Sequence, residues 1–245
     1  MVSIRADNLS LTYRIRRSRR LSGPAAPTPH GGVIVGEGRS QHIRALDGLD
    51  FSLESGDRLG LVGGNGAGKT TLLKVLYGIF KPTSGAVDVS GRTDALFNIN
   101  LGFRREATGR RNIILRGLIN GWSDEEVEQR MDEIVEFSEL GDFIDMPMKT
   151  YSAGMSARLA FSVATCLEPE ILLMDEWIGA GDPEFQMKAR NRMSDMAERA
   201  GIIVLASHNH QLLRRICNKV MKLDHGRMVH FGPAEDYFAQ EGATK

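Results

Sequence analysis

Residues 63–71 decide the fold of this chain, and they read Gly63-Gly64-Asn65-Gly66-Ala67-Gly68-Lys69-Thr70-Thr71. They fit the pattern G-x-x-x-x-G-K-[ST], a glycine-rich loop whose backbone N–H groups converge on phosphate oxygens. A short apolar run at Asp57–Val62 precedes the loop and predicts a buried strand, whereas Thr71–Phe80 follows it with the apolar spacing of a helix. A strand, this loop and a helix in that order predict a phosphate site at the start of the helix.

Two side chains of the loop have the chemistry that a nucleotide triphosphate needs. Lys69 can place a positive charge on the β- and γ-phosphates, and the Thr70 hydroxyl is an oxygen ligand for Mg²⁺. The alternative is a chance glycine-rich turn before a helix. We favour the phosphate loop because the glycines, the lysine and the hydroxyl lie in register, and we expect all nine residues of the stretch to bind ATP.

Composition and charge exclude several classes of protein. The 245 residues are 42% hydrophobic and 25% charged, as in a globular protein with a real core, and the formal net charge of +0 does not favour nucleic acid as a partner. The N-terminus has no apolar signal core, and no apolar run approaches the roughly 18–20 residues that span a bilayer. Cys166 and Cys217 are far apart, so free thiols in a reducing cytoplasm are expected.

The order of apolar runs predicts an α/β fold of the phosphate-loop NTPase type. Ile171–Met174 and Ile202–Ala206 are fully apolar and alternate with helical segments, a pattern typical of a mainly parallel sheet. Val220–Leu223 and Met228–Phe231 flank the turn-like segment 224–227 and predict a hairpin.

Strand-like segments before the loop and a helical middle segment are predicted additions to that sheet. Met1–Ile15 alternates weakly and is interpreted as one or two edge strands, and Ile43–Leu53 as a further strand. In the middle, Arg110–Ile119 is interpreted as a helix, and Ser123 followed by Glu126 predicts a capping box that starts the next helix.

Residues 14–42 are interpreted as a basic loop excursion. Residues 1–44 contain eight arginines against two acidic residues, a local excess of +6, and the segment is rich in glycine and proline. A solvated loop is favoured over a contact with anionic lipid or a lipid-linked substrate.

Acidic and imidazole side chains follow the two apolar strands at the end where ligands collect in open α/β sheets. Asp175 is expected to hold Mg²⁺, and Glu176 after it can polarise an attacking water. His208 follows the next strand and is the candidate partner of the γ-phosphate, with His210 as a competing candidate and a structural histidine as the alternative.

The segment Tyr151-Ser152-Ala153-Gly154-Met155 opens a helix with small residues and a hydroxyl. Such a start favours a second anion-binding helix end, although many helices begin with Ser and Gly.

Together these motifs resemble the nucleotide-binding subunit of an ATP-binding cassette (ABC) transporter over about the whole chain. The matching segments are Gly63–Thr71 (Walker A), Tyr151–Met155 (signature), Ile171–Glu176 (Walker B with the catalytic Glu176), Gly179–Asp182 (D-loop, with Asp182) and Ser207–His208 (H-loop). Further segments resemble the subfamily that exports lipid-linked polysaccharides such as O-antigen, capsule and teichoic acid, namely 101–103, 108–113, 137–140, 143–145 and 149–155.

The resemblance implies one ABC ATPase domain over 1–245, with an N-terminal antiparallel β subdomain, a helical subdomain at about 100–165 and no C-terminal carbohydrate-binding domain. It implies ATP and Mg²⁺ as cofactors, with Thr70 and Asp175 on the metal. It implies a homodimer that sandwiches ATP against the partner's signature residues. Two integral-membrane permease subunits would hold this peripheral protein at the cytoplasmic face of the inner membrane and move the glycan.

Several positions depart from the usual family pattern or stay open. Tyr151, Ala153 and Met155 differ from the usual Leu-Ser-Gly-Gly-Gln signature, which we interpret as a mark of the subfamily. No Gln occupies the expected Q-loop, so Asn98 or Asn100 is its candidate equivalent, and the cleft for coupling is expected around Asn98–Arg111.

Tyr13 either stacks on adenine or packs within its strand. The alternative functions are an ABC ATPase for another exported cargo and a non-transport ABC ATPase acting on ribosomes or DNA.

Overall fold

The computed structural model describes residues 1–14, 33–35, 42–97, 102–176 and 183–242. The strands among them are β1 Ser3–Arg14, β2 Val33–Val35, β3 His42–Glu54, β4 Arg58–Val62, β5 Ser84–Ser90, β6 Thr93–Leu96, β7 Ile171–Asp175, β8 Ile202–Ala206, β9 Lys219–Asp224 and β10 Arg227–Pro233. The α-helices are α1 Lys69–Leu76, α2 Gly109–Ile119, α3 Asp124–Ser138, α4 Ala153–Ala164, α5 Pro183–Arg199, α6 His210–Ile216 and α7 Ala234–Gly242. Short 3-10 turns cover Gly141–Asp145 and Met148–Thr150.

The strands form two sheets, and the α/β class with an antiparallel and a mainly parallel sheet is confirmed. One sheet has the order β2-β3-β1-β5, and its pairs are antiparallel. The other has the order β10-β9-β4-β8-β7-β6, in which β9, β4, β8 and β7 run parallel. The predicted hairpin is present as the antiparallel pair β9–β10.

The register of the parallel strands aligns their carboxyl ends. Ala206 at the end of β8 pairs with Leu61 of β4 on one side and with Asp175 of β7 on the other. The side chains of these strands are almost all fully buried, because helices and sheet surround them and apolar residues occupy both faces. The loops that leave these three strands therefore begin side by side.

Two sequence expectations about element positions, for β1 and for α1, were wrong. The strand predicted at the edge, β1, lies between β3 and β5, where it pairs on both sides. Within the predicted excursion 14–42, β2 pairs with β3; the rest of that segment, from 15 to 32 and from 36 to 41, lies outside the described residues. Helix α1 covers Lys69–Leu76 instead of Thr71–Phe80, and the chain turns away from it at Gly78, whose φ is 83°.

Contacts divide the chain into two compact units. Unit 1 takes in Met1–Ala95, Glu170–Trp177 and Ala200–Lys245, and unit 2 takes in Leu96–Pro169 and Ile178–Arg199. Unit 2 has its own core, in which Ile113 of α2, Ile134 of α3 and Leu159 of α4 are fully buried.

The predicted start of α3 is confirmed as a complete capping box. The Ser123 hydroxyl accepts from the Glu126 backbone at 3.2 Å, and the Glu126 carboxylate accepts from the Ser123 backbone at 2.9 Å. Across the described ranges, none of the helices has both the length and the apolar character that a bilayer crossing requires.

Candidate nucleotide site

Two glycines of the loop after β4 are required by close backbone contacts. Gly63 has a φ of 148°, and a Cβ there would lie 2.4 Å from the carbonyl oxygen of Leu223. Gly68 has a φ of 113°, and a Cβ there would lie 2.8 Å from the carbonyl oxygen of Ala45. Because these neighbours are backbone atoms that cannot swing aside, a side chain at either position would distort the loop.

The ammonium group of Lys69 lies within the loop that it follows. Its Nζ donates to the carbonyl oxygens of Gly63 at 2.7 Å and Gly64 at 3.1 Å, and the residue is 8% exposed. Burial lowers the pKa of Lys69, and the nearby charges of Asp175 and Glu176 act in the opposite direction. A phosphate entering the loop would meet this cation together with the N-terminal end of α1, whose first N–H groups have no partner inside the helix.

Thr70 and Asp175 come together across the sheet. The Thr70 hydroxyl donates to Oδ2 of Asp175 at 2.6 Å, since α1 begins beside the end of β7. A hydroxyl and a carboxylate side by side are hard oxygen donors of the kind that Mg²⁺ binds next to nucleotide phosphates. The residues present therefore fit the cofactor that the sequence suggested.

Glu176 is held in an unusual backbone conformation that aims its carboxylate. Its φ is 73°, in the left-handed region that side-chain-bearing residues rarely adopt, and its N–H donates to the carbonyl of Ala206 at 2.8 Å. The carboxylate accepts from the Ser207 hydroxyl at 3.0 Å and from the His208 backbone at 3.1 Å. The conformation costs of order 1 kcal/mol, and the three bonds act against that cost. The two bonds to the carboxylate hold it near Lys69 and Asp175.

The two candidate histidines differ in their surroundings. His208 is exposed two residues after the end of β8, and its backbone N–H donates to the carboxylate of Glu176. His210 instead pairs through Nδ1 with Glu241 at 2.8 Å and its ring packs against Phe238, so that contacts with α7 occupy it. This geometry favours His208 as the group that meets a phosphate.

The sequence placed Ser207 in the H-loop by resemblance but gave its hydroxyl no role of its own. Its hydroxyl donates to Glu176 and also accepts from the Asn209 backbone at 3.1 Å, so it orients the carboxylate. The sequence feature that could have indicated this role is a residue with a hydroxyl directly after a fully apolar strand.

The segment Tyr151–Met155 starts α4 within unit 2. Ser152 is the N-cap, with its hydroxyl accepting from the Met155 backbone at 3.1 Å; accepting this bond leaves the hydroxyl proton available to a second acceptor. Beside it lies a cleft of about 290 Å³ lined by Glu139, Leu140, Phe143, Ser152, Gly154, Met155 and Arg158.

The geometry of the described residues does not assign a function to the remaining candidates. The ring of Tyr13 meets the ring of Phe80 edge-on at 5.6 Å, so the adenine contact stays a prediction. Asp182, Asn98 and Asn100 lie outside the described residues.

A phosphate-loop fold with a lysine, a threonine and two acidic residues at the carboxyl ends of parallel strands defines a nucleotide-binding protein of the P-loop class. Comparison with known proteins narrows this class. The ABC transporter family model matches residues 46–179. The chain is 41% identical, over 92% of its length and 96% of the relative's, to the O-antigen export system ATP-binding protein RfbE of Yersinia enterocolitica.

Two further comparisons agree with that match. The teichoic acids export ATP-binding protein TagH of Staphylococcus haemolyticus is 34% identical over 96% of this chain and 86% of its own. A solved dimeric ATP-binding cassette in a post-hydrolysis state, bound to ADP and Pi, has the same fold, with a TM-score of 0.68, 20% identity and coverage of 94% and 98%. The chain belongs to the ABC transporter family, as one of its ATP-binding proteins.

Proposed function

We propose that this chain is the ATP-hydrolysing subunit of an ABC exporter that moves a lipid-linked polysaccharide, most directly O-antigen, across the cytoplasmic membrane. The observation that carries the ATPase part is the meeting of Lys69, Thr70, Asp175 and Glu176 at the ends of β4 and β7. The similarity to O-antigen and teichoic acid export proteins over nearly the whole chain supports the cargo class.

In this proposal each residue of the nucleotide site has one role in binding or hydrolysing ATP. The loop N–H groups and Lys69 bind the β- and γ-phosphates, and Lys69 exchanges its two carbonyl partners for phosphate oxygens. Thr70 and Asp175 would hold Mg²⁺, which supplies charge neutralisation on the phosphates when bound. Glu176, with its carboxylate fixed by Ser207, takes the proton of the attacking water.

In this proposal the γ-phosphate is contacted by His208 and by residues of a second chain. His208 is exposed beside Glu176 and can donate to a γ-phosphate oxygen from its ring. The Ser152 hydroxyl and the N-terminal end of α4 form a second anion-binding element, and a symmetric pair of chains would bring each such element to the other chain's nucleotide. The D-loop residue Asp182 is assigned to the same interface by resemblance alone.

In this proposal the cargo crosses the membrane through other subunits. Two integral-membrane permease subunits hold the protein at the cytoplasmic face of the inner membrane and pass the glycan. Unit 2 offers a surface for them in the cleft of about 580 Å³ lined by Gly102, Phe103, Arg104, Leu115, Leu118 and Ile119. Leu118 and Ile119 are 51% and 59% exposed there, next to the segment in which coupling was expected.

The test replaces Lys69 in the bacterium that makes the protein. With Lys69→Ala, lipid-linked glycan is expected to accumulate on the cytoplasmic side and to disappear from the cell surface. Lys81→Ala, an exposed lysine outside the site, is the matched control and should export normally. Normal surface glycan in the Lys69→Ala strain, or accumulation of a different lipid-linked cargo, would contradict the proposal.

A further inference from the structure

The hydroxyl of Tyr151 is engaged inside unit 2, one residue before the Ser152 turn. It donates to the carbonyl oxygen of Phe143 at 2.6 Å, so that this side chain points into its own unit. The ring is half-buried, and burial raises the pKa of the Tyr151 hydroxyl while a backbone hydrogen bond from Gly109 lowers it. A direct contact of this hydroxyl with a nucleotide is therefore not its role.

Helix α2 begins against the same hydroxyl. A Cβ on Gly109, the first residue of α2, would lie 2.4 Å from Oη of Tyr151 and 2.9 Å from the carbonyl oxygen of Ile144. Glycine at 109 is thus what allows the start of the helix to approach the tyrosine this closely. The hydroxyl lies between the first residue of α2 and the 3-10 turn Gly141–Asp145.

Other contacts hold these segments together. Arg110 of α2 makes a two-bond ion pair with Asp145, at 2.8 and 3.2 Å. Thr108 forms a β-bridge with Pro147, and the Met148 backbone donates to the carbonyl of Ala107 at 2.9 Å. The segment before α2 is therefore bonded to the segment that leads into Tyr151.

We propose that Tyr151 is a positioning residue, whose hydroxyl locks the Ser152 turn to the start of α2 and to the 141–145 turn. The lock sets the direction of the Ser152 hydroxyl and of the first turn of α4. Its consequence for nucleotide binding by a second chain rests on the proposed function; the lock itself does not.

The lock can be removed with little loss of stability. The carbonyl oxygen of Phe143 also accepts from the Met146 backbone at 2.9 Å, so it keeps a partner when the tyrosine hydroxyl is absent. Tyr151→Phe keeps the ring and its packing, and deletes only the hydroxyl. A loss of activity in this variant then reports on orientation of the turn.

The first experiment measures amide hydrogen exchange in the intact chain without nucleotide. Tyr151→Phe is expected to speed exchange of the Met155 and Ser156 amides, which Ser152 protects, by about tenfold, with Ile134 in the core unchanged. Tyr237→Phe, a tyrosine of α7 in unit 1, is the matched control and should change neither. Unchanged exchange at 155 and 156 would overturn the proposal.

Gly109→Ala provides an independent variant, which decides the test if Tyr151→Phe does not fold. It displaces the hydroxyl without removing it, and the same faster exchange at 155 and 156 is expected. Unchanged exchange in this variant would also overturn the lock.

A second experiment measures ATP-driven dimerisation in the Glu176→Gln background. Tyr151→Phe should weaken dimerisation about tenfold, with nucleotide affinity of the monomer unchanged. Ser152→Ala is measured in parallel: if it leaves dimerisation intact, the nucleotide site shared between two chains in the proposed function fails, while the exchange result still decides the lock. If Ser152→Ala abolishes dimerisation and Tyr151→Phe does not weaken it, the positioning role is overturned.

Discussion

The hydroxyl of Thr70 lies 2.6 Å from a carboxylate oxygen of Asp175, although 105 residues separate them along the chain. The parallel register of β4, β8 and β7 places the start of α1 beside the end of β7, and the hydrogen bond follows from that register. The pair is consistent with a shared metal site, and its hydroxyl can be removed without changing the shape of the side chain.

Thr70→Val is expected to weaken the effect of Mg²⁺ on ATP binding. The variant keeps the volume and β-branching of threonine but loses the oxygen that would bind the metal. The gain in ATP affinity on adding Mg²⁺ should fall about tenfold, as for the loss of one bond to a charged group. Titration with a fluorescent ATP analogue, in Mg²⁺ and in EDTA, measures this gain. As a control, wild type and Thr70→Val should bind the analogue with equal affinity in EDTA. A gain in affinity that is the same in both proteins would refute the assignment.

Glu176→Gln is expected to abolish turnover while ATP binding stays intact. The single amide oxygen of glutamine can still accept from the His208 backbone, and its NH2 can donate to the Ser207 hydroxyl in place of the present bond. Glutamine cannot accept the proton of water, and general-base loss typically costs about 10²–10⁴-fold in rate. Phosphate release measures the rate. Glu136→Gln, an exposed position of α3, is the control, and a wild-type rate in Glu176→Gln would mean that the base lies elsewhere.

The sequence singled out residues that the structure brings together where a short motif implies its own geometry. The glycine-rich loop, its lysine and the strand–helix context are local, and strand ends of a parallel sheet converge by topology, which is why Asp175 and Glu176 could be singled out. The left-handed φ of Glu176 could not be predicted, because it is accompanied by bonds to Ala206 at the end of β8 and to Ser207 directly after it, both distant in sequence.

Edge and centre positions in a sheet were not predictable from alternation alone. Strand β1 is weakly alternating, which suggested an edge, but it is paired on both sides by partners far apart in sequence, β3 and β5. Nothing local in Met1–Ile15 encodes how many neighbours the strand has. Similarly, the choice between His208 and His210 depended on Glu241, which lies 31 residues beyond His210 in the chain.

Ser123→Ala is expected to destabilise unit 2 by about 1 kcal/mol, the usual cost of losing an N-cap hydroxyl. Both halves of the capping box depend on that serine, through its hydroxyl and its conformation. Urea unfolding, followed by a probe in unit 2, measures the change in free energy. Glu125→Gln in the same first turn, which leaves the box intact, should cost less; an equal cost would argue against the box.

The ion pairs of Asp47 predict a loss of stability at low pH. Hydrogen bonding by Arg227 is the main cause that lowers the pKa of Asp47 below its ordinary 3.8, with Arg44 contributing further. Because the folded pKa is depressed, the stabilisation is present above pH 3.8 and is lost as pH falls through the folded pKa. Wild type should therefore lose its stability advantage over Asp47→Asn in urea unfolding below about pH 4; an advantage that does not change with pH would count against these ion pairs.

The most direct test of the account is the mass of the Glu176→Gln protein in solution with ATP and Mg²⁺, measured by light scattering across a concentration series. The account predicts a dimer with ATP, a monomer without it, and a monomer again when Ser152→Ala is added. A protein that stays monomeric with ATP at every concentration, or that dimerises equally well with Ser152→Ala, would contradict the shared nucleotide site.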